Sequence, residues 1–394
     1  MKYNLCPKSG DSISKLGLGC LRFPRKGAKI DQEKTNELVA AAIDNGINFF
    51  DTAYIYPGSE EALGEALIAC GGRDKINLAD KLPHFFCIKA EDIDNIFNTQ
   101  LERLKTNRID YYFIHMLGNA ESWNRMKSLG IETWIAEKKQ SGEIGKIGFS
   151  FHGSRAAFVE LLDEYDWEFC MVQYNYLDEF NQAGASGVRE AHKRGLPVFA
   201  MEPLRGGLLA ENLPKKAKQV FEKLNRNRTP AWWALQWLWN QPEITMALSG
   251  MSNLAQLEEN CTAVEDYYEG MFDEKDLSAY ETVIEIINEA VKVPCTACEY
   301  CIPCPKGVDI PSCFSFYNDS YTFGWYYGVS KYVQNIGLLT SEHKDASLCI
   351  SCGICEKKCP QGIPISKTLK KVERRMATFA IKPIISLAKK VLRA

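Results

Sequence analysis

Residues 47–70 read INFFDTAYIYPGSEEALGEALIAC. An aromatic, β-branched run (INFFDTA) turns through Pro57-Gly58 into a stretch whose apolar residues recur at helical spacing from Ser59 to Cys70, which makes one strand–helix unit. The same alternation extends outward in both directions. Before it lie KLGLGCLRF (15–23) and a helical stretch at 31–45, opened by Asp31 and closed by Gly46. After it come INLADKLP (76–83), IDYYFIHM (109–116), GKIGFSFH (145–152), CMVQYNY (170–176), PVFAMEPL (197–204) and ITMALSG (244–250), with helices such as 91–106 and 182–194 between them. Eight units in one unbroken series predict an α/β fold of the TIM (β/α)8 barrel type rather than an open doubly wound sheet.

The rest of the chain is different. A helix over 273–292 leads away from the barrel and is ended by Val293-Pro294. Cysteine, proline and aromatic residues then dominate up to Cys359, and the remainder is helical and basic. The expected domains are therefore a barrel over 1–292, a small, mainly helical domain over 293–365 and a basic helical tail over 366–394. With 394 residues, 46% hydrophobic and 25% charged, the chain is long enough for one large core and one small one. A net charge of −3 gives no reason to expect nucleic acid as a partner. The first residues, MKYNLCPKSGDSISK, have no apolar core of a secretory signal, and the run AWWALQWLWN (231–240) is far shorter than the roughly 20 residues of a membrane span. A cytoplasmic protein with no transmembrane segment is expected.

Barrel enzymes place their chemistry at the C-terminal ends of the strands. Four polar residues stand there: Asp51 at the end of the second strand, Tyr56 just beyond it, Lys81 at the end of the third and His115 at the end of the fourth. Reduction of a carbonyl needs such a set, because a proton must reach the oxygen as hydride reaches the carbon. A phenol can give that proton, an adjacent ammonium favours the phenolate and so should lower the phenol's pKa, and a carboxylate keeps the ammonium charged. Taken singly, each of these residues is more simply a packed or solvated side chain. Together, and in this order, they resemble the Asp, Tyr, Lys and His tetrad of the aldo-keto reductase superfamily, a resemblance that covers about residues 12–263 and is strengthened by PGSEEALGEAL.

That resemblance implies an NAD(P)H-binding barrel mouth acting on a small-molecule substrate. Carried over by motif, the nucleotide contacts are Ser150, Gln173, Met201, Leu204, Gly206, Ser249, Gly250, Met251, Gln256, Glu259 and Asn260. Three positions depart from the family pattern. Phe151 replaces an asparagine, Met201 replaces the aromatic residue that stacks on nicotinamide, and Gln256 replaces the arginine that clamps a 2′-phosphate. The last change weakens the case for NADPH over NADH, with Arg205, Ser252 and Asn253 as candidates to compensate. Gly17-Leu-Gly19-Cys-Leu-Arg22 lacks the third glycine of a dinucleotide fingerprint and reads as the first strand.

Eight of the fifteen cysteines form two runs, Cys295-x2-Cys298-x2-Cys301-x2-Cys304-Pro305 and Cys349-x2-Cys352-x2-Cys355-x3-Cys359-Pro360. The second has the full spacing of bacterial ferredoxins. The first is one residue shorter before its last cysteine. The expectation is two [4Fe-4S] clusters in a reducing compartment. As in two-cluster ferredoxins, Cys359 would complete the first set and Cys304 the second. The 44 residues between the runs resemble an α-helical ferredoxin domain, and Cys313 is not expected to be a ligand. The scattered Cys6, Cys20, Cys70, Cys87, Cys170 and Cys261 read as ordinary thiols.

From Lys367 to Ala394 nine Lys and Arg face one acidic residue, Glu373. This is either a solvated helix face or a docking surface for an acidic redox protein or an anionic membrane. The parts together predict an oxidoreductase that couples nicotinamide-dependent carbonyl reduction to electron transfer. Hydride moves electrons in pairs and clusters move them singly, so a switch is needed, such as a flavin bound here or on a partner. Two other readings remain: an electron-transfer or partner-binding protein whose barrel turns over no carbonyl, and a chain whose clusters are purely structural.

Overall fold

A computed structural model describes residues 1–27, 29–224, 227–289, 291–295, 297, 300–336, 344–359 and 361–376. The chain divides into two compact units, one made of 1–213 with 221–277 and the other of 214–220 with 278–394. The first is a closed barrel of eight parallel strands: β1 (Leu16–Gly19), β2 (Phe49–Asp51), β3 (Asn77–Leu82), β4 (Ile109–Leu117), β5 (Ile144–Phe151), β6 (Phe169–Gln173), β7 (Val198–Met201) and β8 (Ile244–Ser249). They neighbour one another in chain order, and β8 pairs with β1 through Ala247 and Leu16 to close the ring. All eight expected strands are present, several shorter than the apolar runs that signalled them.

Period-2 alternation sends one face of each strand inward. Phe49, Ala79, Tyr111, Phe113, Phe169, Met171, Phe199, Met246 and Leu248 fill the interior. Edge-on ring contacts such as Phe113–Phe169 at 4.7 Å hold these layers together. The interior is so full that two strand positions admit no side chain. A Cβ on Gly17 would lie 2.7 Å from the Met246 sulfur, and one on Gly148 would lie 2.4 Å from the Phe169 carbonyl oxygen. On the outer face the expected helices form with the signalled caps. The helix Gln32–Asp44 starts where the Asp31 side chain accepts from Lys34 N, and it exits through Gly46 at φ 82°.

An N-terminal hairpin, Tyr3–Leu5 with Ser12–Ser14, was not anticipated from the sequence. It tucks Cys6 and Ile13 into the interior cluster, and Tyr111 Oη donates to Asp11 at 2.5 Å. The foot of the barrel is thereby stoppered.

In the second unit the helices Ile310–Thr322, Trp325–Asn335 and Ile365–Met376 enclose a small core of Phe314, Phe316, Tyr317, Val329, Tyr332, Leu369 and Val372. This is the mainly helical domain that was expected. Its tail is described to Met376; the rest of the basic segment, 377–394, lies outside the described residues. Among the described residues no helix is long and apolar enough to cross a membrane.

Replacing Gly148 by Ala is expected to lower unfolding stability by about 1–3 kcal/mol, since backbone rather than a flexible side-chain tip blocks the added methyl. A Gly19→Ala change, at an ordinary φ with the nearest atom 3.5 Å from the added methyl, serves as the control. Denaturant unfolding of both variants tests the difference.

Candidate active site and cysteine centre

At the C-terminal ends of β2 to β4 the structure brings together Asp51, Tyr56, Lys81 and His115. Lys81 Nζ lies 2.6 Å from each carboxylate oxygen of Asp51 and also donates to the Thr52 carbonyl. Both partners of the ion pair are buried. The ammonium sits 5.1 Å from the centroid of the half-buried Tyr56 ring, and the His115 ring lies edge-on to it at 6.2 Å.

Burial alone would strip the proton from Lys81, but the charges of Asp51 and Tyr56 reverse this and raise its pKa. Burial likewise pushes Asp51 up against the pull of Lys81. His115 is held well below the ordinary imidazole range, first by burial and then by the charges of Lys81, His152 and His84. It is therefore neutral at neutral pH. Tyr56 departs from expectation: burial raises its phenol above the usual value, and Lys81 opposes that shift without overcoming it. The phenol thus rests in its proton-bearing form.

The main chain of Lys81 is clamped from behind. Gln100 Nε2 donates to its carbonyl at 3.0 Å, and Tyr112 Oη donates to Gln100 Oε1 at 2.6 Å. Asp80, which faces the helix layer, accepts from Lys81 N at 2.7 Å. Burial and then the neighbouring Glu60 push the Asp80 carboxyl far up, while Arg103 pairs with Glu60 at 2.7 Å. The sequence reading missed this group.

It also missed Asp178, the centre of the opposite side of the mouth. Its carboxylate accepts from Arg205 Nε at 2.9 Å, Asn175 Nδ2 at 2.9 Å, Gln173 Nε2 at 3.1 Å and Asn181 Nδ2 at 2.7 Å. Burial would raise the carboxyl, yet Arg205 and these donors hold it below the usual range. Gln173 is fixed further by Gln182, whose Nε2 donates to its Oε1 at 2.7 Å. Ser150 Oγ accepts from Met116 N at 2.9 Å.

Met201 lies over the interior cluster at the end of β7. Beyond it Glu202, Arg205, Gly206 and Gly207 all take positive φ, a tight loop in which Leu204 is half-buried. At the end of β8 the side chain of Arg22 lies against Gly250, and Met251 is buried. Ser249 Oγ accepts from Asn260 Nδ2 at 2.9 Å, and Glu259 is half-buried on the same helix.

Of the three residues considered as substitutes for a phosphate-binding arginine, each is engaged. Arg205 pairs with Asp178, Ser252 donates to Gln256 Oε1, and Asn253 caps the helix Leu254–Asp266. Phe151 points away from the mouth and packs on Phe158 at 4.9 Å.

In the second unit Cys355 belongs to the small core, and Cys295, Cys301, Cys304, Cys349 and Cys359 pack against it; Cys352 is exposed. Cys298 lies outside the described residues. Among the described residues all of these thiols are free of disulfides, and no three Cys, His, Asp or Glu groups converge as a site for a single ion would require. A set of soft thiolates bordering one core has the donor chemistry of iron–sulfur ligation. Cys313 is wholly buried, and its thiol is pushed far up by burial.

Removing Asp178 leaves a buried guanidinium unpaired, so Asp178→Ala should cost about 3–5 kcal/mol in thermal or denaturant unfolding. Because the native carboxyl is depressed, the contribution is present above the unfolded pKa of about 4 and is lost as pH falls further. The difference between wild type and variant should shrink accordingly in acid.

The family model of the aldo/keto reductases matches residues 15–285, and that of a 4Fe-4S dicluster domain matches residues 294–363. An uncharacterized oxidoreductase of Bacillus subtilis is 28% identical over 67% of this chain and 91% of its own length. The L-galactose dehydrogenase of Arabidopsis thaliana is 25% identical over 71% and 93%. Among solved structures, the holo form of an aldo-keto reductase from Bacillus halodurans superposes with a TM-score of 0.60 at 24% identity, covering 72% of this chain and 96% of that one. One from Klebsiella pneumoniae, in complex with NADP and acetate, gives 0.58 at 22% identity over 72% and 96%. With the family model spanning the whole barrel, the chain belongs to the aldo/keto reductase family of oxidoreductases and carries a 4Fe-4S dicluster domain over residues 294–363.

Proposed function

We propose that this protein reduces a carbonyl, or a related acceptor, of a small molecule at the expense of NAD(P)H, and that its C-terminal domain exchanges electrons with a redox partner in the cytoplasm. The observation that carries this reading is the Lys81–Asp51 pair buried beneath the Tyr56 ring, with a neutral imidazole beside it.

The residues at the mouth fit a nicotinamide nucleotide. Ser150 and Gln173, fixed by their neighbours, would meet its carboxamide, and the flexible thioether of Met201 would lie under its ring. The loop at Leu204 and Gly206 and the β8 end at Ser249, Gly250, Met251, Gln256, Glu259 and Asn260 would take the remainder. When bound, this group supplies the hydride.

Everything else falls to the chain. Tyr56, kept in its proton-bearing form by burial, donates its phenolic proton to the substrate oxygen. Lys81 stabilises the phenolate left behind, and Asp51 keeps Lys81 charged. His115, kept neutral by burial, would orient that oxygen through its one N–H.

Cys295, Cys298, Cys301 and Cys359 would hold one [4Fe-4S] cluster, and Cys349, Cys352, Cys355 and Cys304 the other; when bound, such clusters pass single electrons. The two-to-one electron switch, such as a flavin, is assigned to the partner.

Tyr56→Phe is expected to lower kcat for carbonyl reduction by about 10²–10⁴ with little change in nucleotide affinity. Full retention of turnover would remove Tyr56 as the acid. The reduction rate should be flat with pH through neutrality and fall only where the raised phenol ionises, beyond about pH 10. Gln256→Arg should shift the preference toward NADPH by roughly tenfold or more, the scale of a charge-assisted hydrogen bond. Anaerobic titration of the iron-loaded protein with NADH and then NADPH, following the iron–sulfur absorbance, separates two behaviours. Bleaching by nucleotide alone would place the switch on this chain, whereas bleaching that also needs the partner supports the assignment.

A further inference from the structure

The helical unit carries a groove of about 380 Å³ lined by Tyr317, Tyr321, Trp325, Lys371, Arg374 and Arg375. The barrel chemistry makes no use of it. Its construction separates a fixed frame from free charges. Arg375 belongs to the frame: its guanidinium stacks 3.8 Å from the Tyr321 centroid and donates through Nε to Ser320 Oγ at 2.6 Å and through Nη2 to the Ser320 carbonyl at 2.9 Å. Trp325 Nε1 donates to the Arg375 carbonyl at 3.0 Å, which ties the helix Trp325–Asn335 to the helix Ile365–Met376. Lys292 lies 5.3 Å from the centroid of the same Tyr321 ring and adds a further cation to this corner.

Lys371 and Arg374 are exposed, and among the described residues neither has a carboxylate partner. Two cations with no carboxylate partner among the described residues, beside a guanidinium held in place by the fold, give the groove a positive lining. The aromatic rings are of another character: Tyr321 and Trp325 belong to the lining, and Tyr326 follows Trp325 on its helix. Trp325 is 39% exposed, Tyr326 81% and Tyr321 38%. Large aromatic rings with polar edges, next to Lys and Arg, are the side chains that settle at a lipid–water boundary. The sequence that follows the helix, ATFAIKPIISLAKKVLRA (377–394), has four further cations, no acidic residue and many apolar ones. An acidic protein partner would explain the charge but not the apolar and aromatic content.

We propose that this face of the helical unit docks on a membrane surface rich in anionic phospholipid, with a lipid phosphate in the groove against Lys371, Arg374 and Arg375 and with Trp325 and Tyr326 at the headgroup level. The contact is peripheral. It rests on the helical unit alone and is independent of the proposed carbonyl chemistry.

The test is vesicle co-sedimentation of the full-length, iron-loaded chain on phosphatidylcholine vesicles with and without about 30% phosphatidylserine, at low and at physiological salt. Binding only to the anionic vesicles, weakening as salt rises, is expected. The double variant Lys371→Gln with Arg374→Gln, which leaves Arg375 and the segment 377–394 in place, should weaken binding roughly 25-fold, at about fivefold per cation. Tyr326→Ala should weaken it several-fold on the same vesicles. Far-UV circular dichroism and the iron–sulfur absorbance verify that each variant is folded. Equal binding to the uncharged vesicles, no binding to either kind, or unchanged affinity in the double variant of verified fold would overturn the proposal. So would salt-sensitive capture of an acidic ferredoxin on this face by a chain that ignores lipid.

Discussion

A lysine ammonium inside a barrel must be surrounded by acceptors or lose its proton, and much of this protein's architecture answers that constraint. Asp51 and the Thr52 carbonyl meet the charge directly, while Gln100, Tyr112 and Asp80 hold the strand from which it projects. The arrangement requires β2 and β3 to be neighbours in register, with Phe49 against Asn77 and Asp51 against Ala79, so the ion pair and the closed sheet specify one another. On the far side of the mouth Asp178 does for Arg205 what Asp51 does for Lys81. A buried charge is fixed by its opposite, and neutral side chains such as Gln173 are aligned by the same carboxylate. The mouth is therefore a rigid ring of paired charges with open polar groups between them.

Much of this could be read from the chain. The eight strands announced themselves because each is a short apolar run bounded by polar turns, and the tetrad because its members stand where those runs end. The cysteine runs carried their chemistry in their spacing. Other features could not be read this way. Asp178 and Arg205 lie 27 residues apart in two loops, and nothing periodic links them. The Asp80–Glu60 pair joins a strand to a helix, and only their packing shows that Glu60 raises the Asp80 carboxyl. The three-residue strands of the N-terminal hairpin are too short for alternation to register, and Leu5 on one of them is exposed.

Phe151 teaches a different lesson. It departs from the family pattern next to a nucleotide contact, yet the strand period already implied that neighbours 150 and 151 face opposite ways. Ser150 bonds to Met116 N, while Phe151 lies among Phe149 and Phe158 in the helix layer. Tyr56 shows the complementary limit. Its neighbours could be guessed from the sequence, but the balance between burial and the Lys81 charge depends on how tightly the ring is enclosed, and burial wins.

The hairpin that stoppers the barrel has a consequence for traffic. With Cys6 and Ile13 packed into the interior cluster, the described residues close the foot of the barrel, and a ligand at Tyr56 and His115 would enter and leave by the mouth. Two molecules occupying that mouth at different depths cannot exchange independently. The deeper one must arrive first and depart last, so the sequence of arrivals is dictated by depth, and a molecule lodged at the shallower level traps the one beneath it.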